Sequence, residues 1–364
     1  MKLAIIAPLV SPIREPQRGG SQAFVSELAR GLVQRGHDVQ LYAATGSAVG
    51  GVEVIDTGVD HRELAATLYR ASGGPTAHSP VAQRAFARVY EMVGDGGYDV
   101  VHNHAFDAPA VSLAPAGGVP VVHTIHLPPD VDVAGALREA MRRPSPPVVA
   151  CVSASHANAW RPIVPVQAIL SPFIPTRQIP FSPTAGSGAL FAGRLSPEKG
   201  AADAITIAQL AGVEIDLFGD VYDADYAREQ IDVWRAEPGV VTHPAVDQGA
   251  LWDRMARAAV VLCPARWEEP FGMVAAEAQA CGAPVVAFRR GALAEVIVEG
   301  VTGFLTEPGD HRAAAEAVTR SRTLSRSACR RHAERHLDLG LSLDAHERLY
   351  QRVATKRLAA RRSA

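Results

Sequence analysis

Cysteine is scarce in this 364-residue chain: Cys151, Cys263, Cys281 and Cys329 stand far apart and never form a C-x-x-C pair. A disulfide framework and a thiolate zinc site are thereby excluded, and reduced thiols of a cytosolic protein are expected. An excess of charge of one sign is lacking too, since 36 Lys and Arg oppose 38 Asp and Glu for a formal net charge of −2. No global field favours nucleic acid, so a partner must be recognised at a local site. Long hydrophobic runs are missing. The apolar start at residues 3–8 ends in proline and is too short for a signal peptide, and nothing approaches the ~18–20 apolar residues of a membrane span. The sequence therefore reads as cytoplasmic, without a transmembrane segment and without expected peripheral membrane contact. What it has in plenty is aliphatic content, 48% hydrophobic residues over a length sufficient for two α/β domains.

Short apolar runs alternate with helical periodicity. Residues 3–7 read as a strand, 10–20 as a loop ending in Gly19-Gly20, and Ser21 as the cap of a helix with Phe24, Val25, Leu28, Leu32 and Val33 on one face up to Gly36. Residues 39–43 form a second strand, and the glycine pair lets backbone approach a phosphate at the helix start. Helical patterns at 61–71 and 81–93 precede strands at 99–102 and 119–124. Four histidines, His102, His104, His123 and His126, fall near these strand ends. Their H-x-H spacing suits zinc, but no cysteine joins them and no metal motif is completed. Residues 128–147, rich in proline and charge, read as a mobile loop with a short helix at 133–141. A strand at 148–152 follows, then a helix capped by Ser153, then 166–170, and 182–188 is the most linker-like stretch.

The most informative stretch is 264–284, PARWEEPFGMVAAEAQACGAP. A buried strand at 258–263 should end at Pro264, and a loop with Glu268 and Glu269 leads to Phe271-Gly272-Met273-Val274, which opens a helix containing Glu277 and closing near Gly282. Glu269 and Glu277 can then face one crevice, with the amides of Gly272, Met273 and Val274 between them as a seat for an anion. Carboxylates beside such a seat repel it unless they are aimed at hydroxyls, which sugars and ribose supply. Upstream, a strand at 189–193 delivers Arg194-Leu195-Ser196-Pro197-Glu198-Lys199-Gly200 to the carboxyl edge of a sheet, where open α/β folds bind ligands. Arg194 and Lys199 can converge there on one diphosphate; the plain alternative pairs Lys199 with Glu198. Among the remaining charges, Asp216 reads as a solvated strand residue, Asp220 as a helix cap, and the basic tail (Arg320, Arg322, Arg326, Arg330, Arg331, Lys356, Arg357, Arg361, Arg362) as a solvated helix, because acids interleave. Trp252 reads as core.

E-x7-E within WEEPFGMVAAEA, followed by ACGAPVVA, resembles the donor-binding signature of glycosyltransferase family 4. GRLSPEKG resembles the family's diphosphate loop, GGSQAFVSELARGLVQRGHDVQLYA its amino-terminal segment, and Thr124-Ile125-His126 its T-x-H strand end. The resemblance spans residues 1–45, 98–126 and 188–308. It implies an α/β GT-B fold, two Rossmann-like domains facing each other across a cleft: an acceptor-side domain 1–172 onto which a helix at about 343–364 packs back, a linker 173–188, and a donor domain 189–342. It implies a retaining, metal-independent glycosyltransferase of hexosyltransferase type, with a nucleotide diphosphate sugar as co-substrate and no cofactor. It assigns catalytic roles to His126, Arg194, Lys199 and Glu269, and donor binding to Gly19, Gly20, Gly193, Arg194, Lys199, Gly219, Glu269, Phe271, Gly272, Met273, Val274 and Glu277. His104 and His126 are the acceptor-side candidates, beside the loop at 128–147, and His243–Val246 corresponds to a turn that meets the nucleobase. Where many members carry an Asn-Gly turn, this chain has Ser171-Pro172-Phe173-Ile174-Pro175. The expected acceptor is a small soluble molecule, such as a secondary metabolite, a low-molecular-weight thiol or a cyclitol. The rival readings are a nucleotide-sugar 2-epimerase of the same fold, a non-catalytic nucleotide-sugar-binding protein, and an NAD-dependent oxidoreductase, for which the first strand lacks its G-x-G-x-x-G.

Overall fold

The computed structural model describes residues 1–17, 19–68, 80–94 and 96–363, with side chains for all of these but 65–68 and 357–363. The chain divides into two compact units: unit 1 is Met1–Pro172 with Ser342–Ala364, and unit 2 is Phe173–Leu341.

Unit 1 runs β1 (Lys2–Ile6), α1 (Gly20–Gln34), β2 (Asp38–Ala43), β3 (Glu53–Asp56), α2 (His61–Leu68), α3 (Pro80–Gly94), β4 (Val100–Asn103), α4 (Ala108–Ser112), β5 (Val121–Ile125), α5 (Val131–Ala140), β6 (Val148–Cys151), α6 (Ala154–Trp160) and β7 (Ala168–Ile169). The strands pair in parallel in the order β3-β2-β1-β4-β5-β6-β7. Because helices cover both faces, the central strands are buried end to end rather than alternately, which is why they appear in sequence as unbroken apolar runs. Along one face Ala4, Ile6 and Val101 pack with Phe86 and Val89, and further along the same face Ile125, Val149 and Cys151 pack with Leu137 and Trp160; on the opposite face His102 meets Tyr350.

Unit 2 repeats the plan with β8 (Ala189–Ala192), α7 (Ala201–Ala211), β9 (Ile215–Phe218), α8 (Ala224–Tyr226), β10 (Val240–His243), α9 (Gln248–Arg257), β11 (Val260–Cys263), α10 (Met273–Cys281), β12 (Val285–Phe288), α11 (Leu293–Val296), β13 (Gly303–Thr306), α12 (His311–Ser321) and α13 (Arg326–His336). Its parallel sheet has the order β10-β9-β8-β11-β12-β13. The last helix, α14 (Leu339–Ser363), leaves unit 2, and its residues from Ser342 onward belong to unit 1. In both sheets chain order reverses beside the first strand, between β1 and β4 and between β8 and β11. A crevice opens at the carboxyl ends of such strand pairs.

Several local expectations change. Helix α1 starts at Gly20 with extended Gly19 as its cap, so Ser21 is already helical and donates to the Gln22 side chain at 3.0 Å instead of capping. The short helix expected at 133–141 is α5, which begins two residues earlier, but it belongs to the core and not to a loop: Asp130 caps it through the amides of Asp132 and Val133, and Leu137 and Ala140 are fully buried. Asp220 caps no helix, its carboxylate accepting instead from the amide of Ala245 at 3.1 Å, while Asp223 caps α8. Asp216 is exposed but holds His243 at 2.6 Å. Arg326 and Arg330 are not solvated charges: Arg326 donates to the carbonyls of Ser182, Ala256 and Ala258, and Arg330 to those of Thr176, Ile179 and Ala280. Residues 173–188 lie in unit 2, where Ile174 bridges Asp338 and Gly186 bonds Arg257. The end of the helical pattern at 61–71 and the side chains of Arg357, Arg361 and Arg362 lie outside the described residues.

Candidate active site

In unit 2 the two strands that flank the reversal point, β8 and β11, each deliver a charged loop. After β8 the chain passes Gly193 and Arg194 into a 3-10 turn at Pro197–Lys199, then through Gly200 at φ 74° into α7. A Cβ at Gly200 would lie 2.0 Å from the Pro264 carbonyl, so glycine lets the β8 loop sit directly on the β11 loop. At Gly219 a Cβ would lie 1.9 Å from the Gly193 carbonyl, which brings the β9 end equally close.

This contact sets the charges. Lys199 Nζ reaches Glu269 Oε2 at 2.9 Å, in a site where both side chains are largely buried. Trp267 Nε1 donates to the same oxygen at 2.7 Å, and Lys199 Nζ lies 4.6 Å from the centre of the Trp267 ring. Glu198 is therefore not the partner of Lys199; it pairs with Arg194 at 3.2 Å, and the Arg194 guanidinium stacks 4.6 Å over Tyr222. Glu268, the neighbour of Glu269, is tied to Arg290 at 2.9 Å and to the Gly291 amide at 2.7 Å, which makes it a brace of the loop.

Gly272, at φ 100°, turns the chain into α10 as its N-cap, leaving the Met273 and Val274 amides in the first turn. The Phe271 side chain is buried, with its ring 5.8 Å from that of Phe173, so any ligand contact there falls to backbone. Glu277 lies one turn inside α10, buried, and accepts from Gln248 Nε2 at 2.8 Å. Burial, reinforced by Glu269 and Glu277, pushes the Cys263 thiol at the end of β11 up to about 12, which leaves it protonated and inert beside them. The structure thus gathers Gly193, Arg194, Lys199, Gly219, Glu269, Gly272, Met273, Val274 and Glu277 at one edge of one sheet. Sequence reasoning missed Trp267, Gln248 and Tyr222. Trp267 stood inside the motif already singled out; Gln248 and Tyr222 carry no local signal.

Unit 1 has its own cluster at the corresponding edge. Gly19 and Gly20 open α1 after β1, His104 follows β4, and His126 follows β5. His104 Nδ1 and His126 Nε2 lie 2.9 Å apart, and the His102 ring lies 4.0 Å from that of His104, tilted by 37°. His102 itself bonds Tyr350 and Thr124, while His123 accepts from Asn103. Burial, together with neighbouring histidines, holds His102 and His104 well below the usual imidazole range, and His126 is lowered to about 3. The cluster is a neutral hydrogen-bonding network, and among the described residues no group of three or more His, Cys, Asp or Glu is placed to hold a metal ion.

The family model described as Glycosyltransferase Family 4 matches residues 18–181, and that described as Glycosyl transferases group 1 matches residues 176–335. The chain belongs to glycosyltransferase family 4. Among curated relatives of this family 4 chain is the D-inositol 3-phosphate glycosyltransferase of Arthrobacter sp. (strain FB24), 29% identical over 368 residues, covering 86% of this chain and 84% of the relative. The GT-B fold is matched by AviGT4, a glycosyltransferase involved in avilamycin A biosynthesis (TM-score 0.73, 23% identity, 97% of this chain and 98% of that one). Anabaena HepE, in a structure with UDP and glucose, matches equally well (TM-score 0.73, 20% identity, 96% of this chain and 99% of that one). The family 4 membership makes the chain a glycosyltransferase, an enzyme of sugar transfer.

Proposed function

We propose that this enzyme transfers a hexose from a nucleotide diphosphate sugar to a small soluble acceptor, with retention of anomeric configuration and without a metal ion. The observation that carries the reading is the junction of Lys199 and Glu269 at 2.9 Å beside the open end of α10. A cation and a carboxylate held at the edge of an anion seat match the two halves of such a donor, diphosphate and hydroxylated sugar.

Arg194, Lys199 and the Met273 and Val274 amides then stabilise the departing diphosphate, each well-placed donor contributing about 2.7–4 kcal/mol. Glu277, braced by Gln248, accepts from ribose hydroxyls and Glu269 accepts from the sugar; within unit 1, His126 and its neighbour His104 are the acceptor-side candidates. With histidines and no carboxylate among the unit 1 candidates to act as nucleophile, retention implies that the acceptor attacks on the face from which the diphosphate leaves. The Arthrobacter relative, whose name gives an inositol phosphate as acceptor, favours a cyclitol or similar polyol over a polymer, within secondary or small-molecule metabolism. HepE, with UDP in its structure, favours a uridine nucleotide among the donors to be tried first. We place the enzyme in the cytoplasm on the strength of its four unpaired thiols; among the described residues no helix is long and apolar enough to cross a membrane.

The test is calorimetric titration of metal-stripped protein with UDP, GDP, ADP, TDP and NAD, followed by turnover with the matching sugar nucleotide in the presence and absence of chelator. Tight binding of one diphosphate, lost in Lys199→Ala, with turnover indifferent to chelator, is the expected result. Binding of NAD alone would overturn the donor assignment, and turnover abolished by chelator would overturn metal independence.

A further inference from the structure

We propose that Trp267 is a positioning residue for the donor sugar: its indole N–H keeps Glu269 oriented toward a sugar hydroxyl when Lys199 is drawn to the diphosphate. This rests on the nucleotide-sugar reading of the site and deepens it.

Trp267 touches both members of the ion pair. Its Nε1 donates to Glu269 Oε2 at 2.7 Å, and its ring lies under Lys199 Nζ at 4.6 Å. Lys199 donates to that same Oε2 at 2.9 Å. Two donors therefore converge on one oxygen, and Oε1 of Glu269 has no hydrogen-bond partner among the described residues. That oxygen is the one left to accept from a ligand hydroxyl.

The loop that carries both residues is fixed by other means. The Ala292 amide donates to the Glu269 carbonyl at 2.8 Å, and Gly291 passes so close that a Cβ there would lie 2.2 Å from the same carbonyl. Glu268 is bound to Arg290 and the Gly291 amide. The indole thus governs the carboxylate, while residues 290–292 govern the backbone.

Arrival of a diphosphate changes the balance at Lys199. A multiply charged anion at the end of α10 competes with a single carboxylate for the ammonium group, while the indole stays hydrogen-bonded to Glu269. Glu269 then loses its counter-ion in a largely buried position, where an ionised group needs charge-assisted hydrogen bonds. The indole N–H is the donor that remains on Oε2. It keeps the carboxylate in place, with Oε1 left to the ligand. Affinity for the sugar therefore depends on the indole N–H, and affinity for the bare nucleoside diphosphate does not.

The experiment compares wild type, Trp267→Phe and Trp267→His. Each is titrated with UDP, GDP, ADP and TDP and with the corresponding glucose nucleotides, and kcat/KM is measured for whichever pair binds. Phenylalanine keeps a ring under Lys199 and removes the donor; histidine restores an N–H. Trp267→Phe is expected to keep diphosphate affinity within about twofold. Its affinity for the sugar nucleotide should fall by about tenfold or more, the scale of one hydrogen bond to a charged group. Its kcat/KM for the sugar nucleotide should fall in parallel. Trp267→His should recover part of both changes. Equal losses of diphosphate and sugar-nucleotide affinity would mean that Trp267 merely scaffolds the loop, and unchanged affinities would make it a bystander; either overturns the proposal. Should Trp267→Phe fail to fold, Trp267→His decides, with retained sugar-nucleotide affinity supporting the role and its loss overturning it. Wild type that binds none of the diphosphates would instead remove the donor-site reading itself, and this inference with it.

Discussion

Two carboxylates are within reach of the Lys199 loop, Glu198 next to it and Glu269 seventy residues further on, and the lysine takes the distant one. Glu198 is engaged by Arg194 four residues back, a partly exposed pair of the kind that contributes about 0–1 kcal/mol. The Lys199–Glu269 pair is different because both partners are largely enclosed and share Trp267. Removing either member leaves the other without its counter-charge, so the two substitutions should not add. Lys199→Ala is expected to lower kcat by about two orders of magnitude or more, the cost of a missing donor at a developing negative charge. In that background Glu269→Gln should cost clearly less than it does alone. Turnover of both single variants and the double variant closes the cycle, and strict additivity would show that the pair does not act as a unit.

Most elements were legible in the sequence because parallel strands buried on both faces read as uninterrupted apolar runs: VVLC at β11, VVAF at β12 and VVHTI at β5 sit where the pattern put them. The helix start at Gly272 and its stop at Gly282 were equally plain. Strand β3, with the sequence EVID, lay at an edge with half its residues polar and gave no such signal, and β13 hid within a run of glycine turns. What the sequence could not show is which polar groups meet across the fold. Gln248 and Glu277 are 29 residues apart and find each other because α9 and α10 pack together. Arg326 likewise looks like one more basic residue in a charged helix until its three carbonyl partners are seen. Replacing it with Met leaves those carbonyls unpaired and should destabilise the protein by about 3–5 kcal/mol, measurable by denaturant unfolding. Lysine should rescue it poorly, since three divergent acceptors need the guanidinium fork. Backbone geometry at the site is testable in the same assay. Gly200→Ala must accept both φ 74° and a Cβ 2.0 Å from the Pro264 carbonyl, whereas Gly212→Ala, at φ 64°, meets nothing within 4 Å. The second substitution should cost about 1–2 kcal/mol from conformation alone. The first should cost more and also weaken diphosphate binding, because it pushes the β8 loop off the β11 loop; equal effects on stability with no effect on binding would contradict that coupling.

At the scale of the whole molecule, the last helix returns the chain to unit 1 and carries buried polar groups with it. Its acidic residues are not simply solvated, since Asp344 and Glu347 each pair with Arg35 at 2.6 Å, and Glu347 also meets His37 at 2.9 Å. On the inner side Tyr350 bonds His102, and the His346 ring lies 5.6 Å from that of His102 and 5.9 Å from that of Phe24. His102, His104, His123, His126 and His346 are all buried and all held below the ordinary imidazole value, His123 and His126 to about 3 and His346 to about 4. An imidazole kept neutral in the fold and free to protonate once unfolded contributes stability that is fully present above about pH 6.5. That stability drains away as pH falls from there toward 3–4, because the unfolded chain takes up protons that the folded one refuses. Asp107, buried and raised to about 7, works the other way: its contribution is present below the ordinary carboxylate value and lost as pH rises through 7. Five histidines against one aspartate leave the first trend dominant. The melting temperature should therefore fall steadily between pH 7 and pH 4.5 in scanning calorimetry, and a level profile would contradict the neutral network. His346→Phe removes one titrating group from the inner face of the helix and should reduce the slope of unfolding free energy on pH by the equivalent of one proton in that window. Should the slope stay as it is in wild type, His346 would have to be protonated in the folded protein, and the last helix would be bound to the first unit by charge and not by a neutral network.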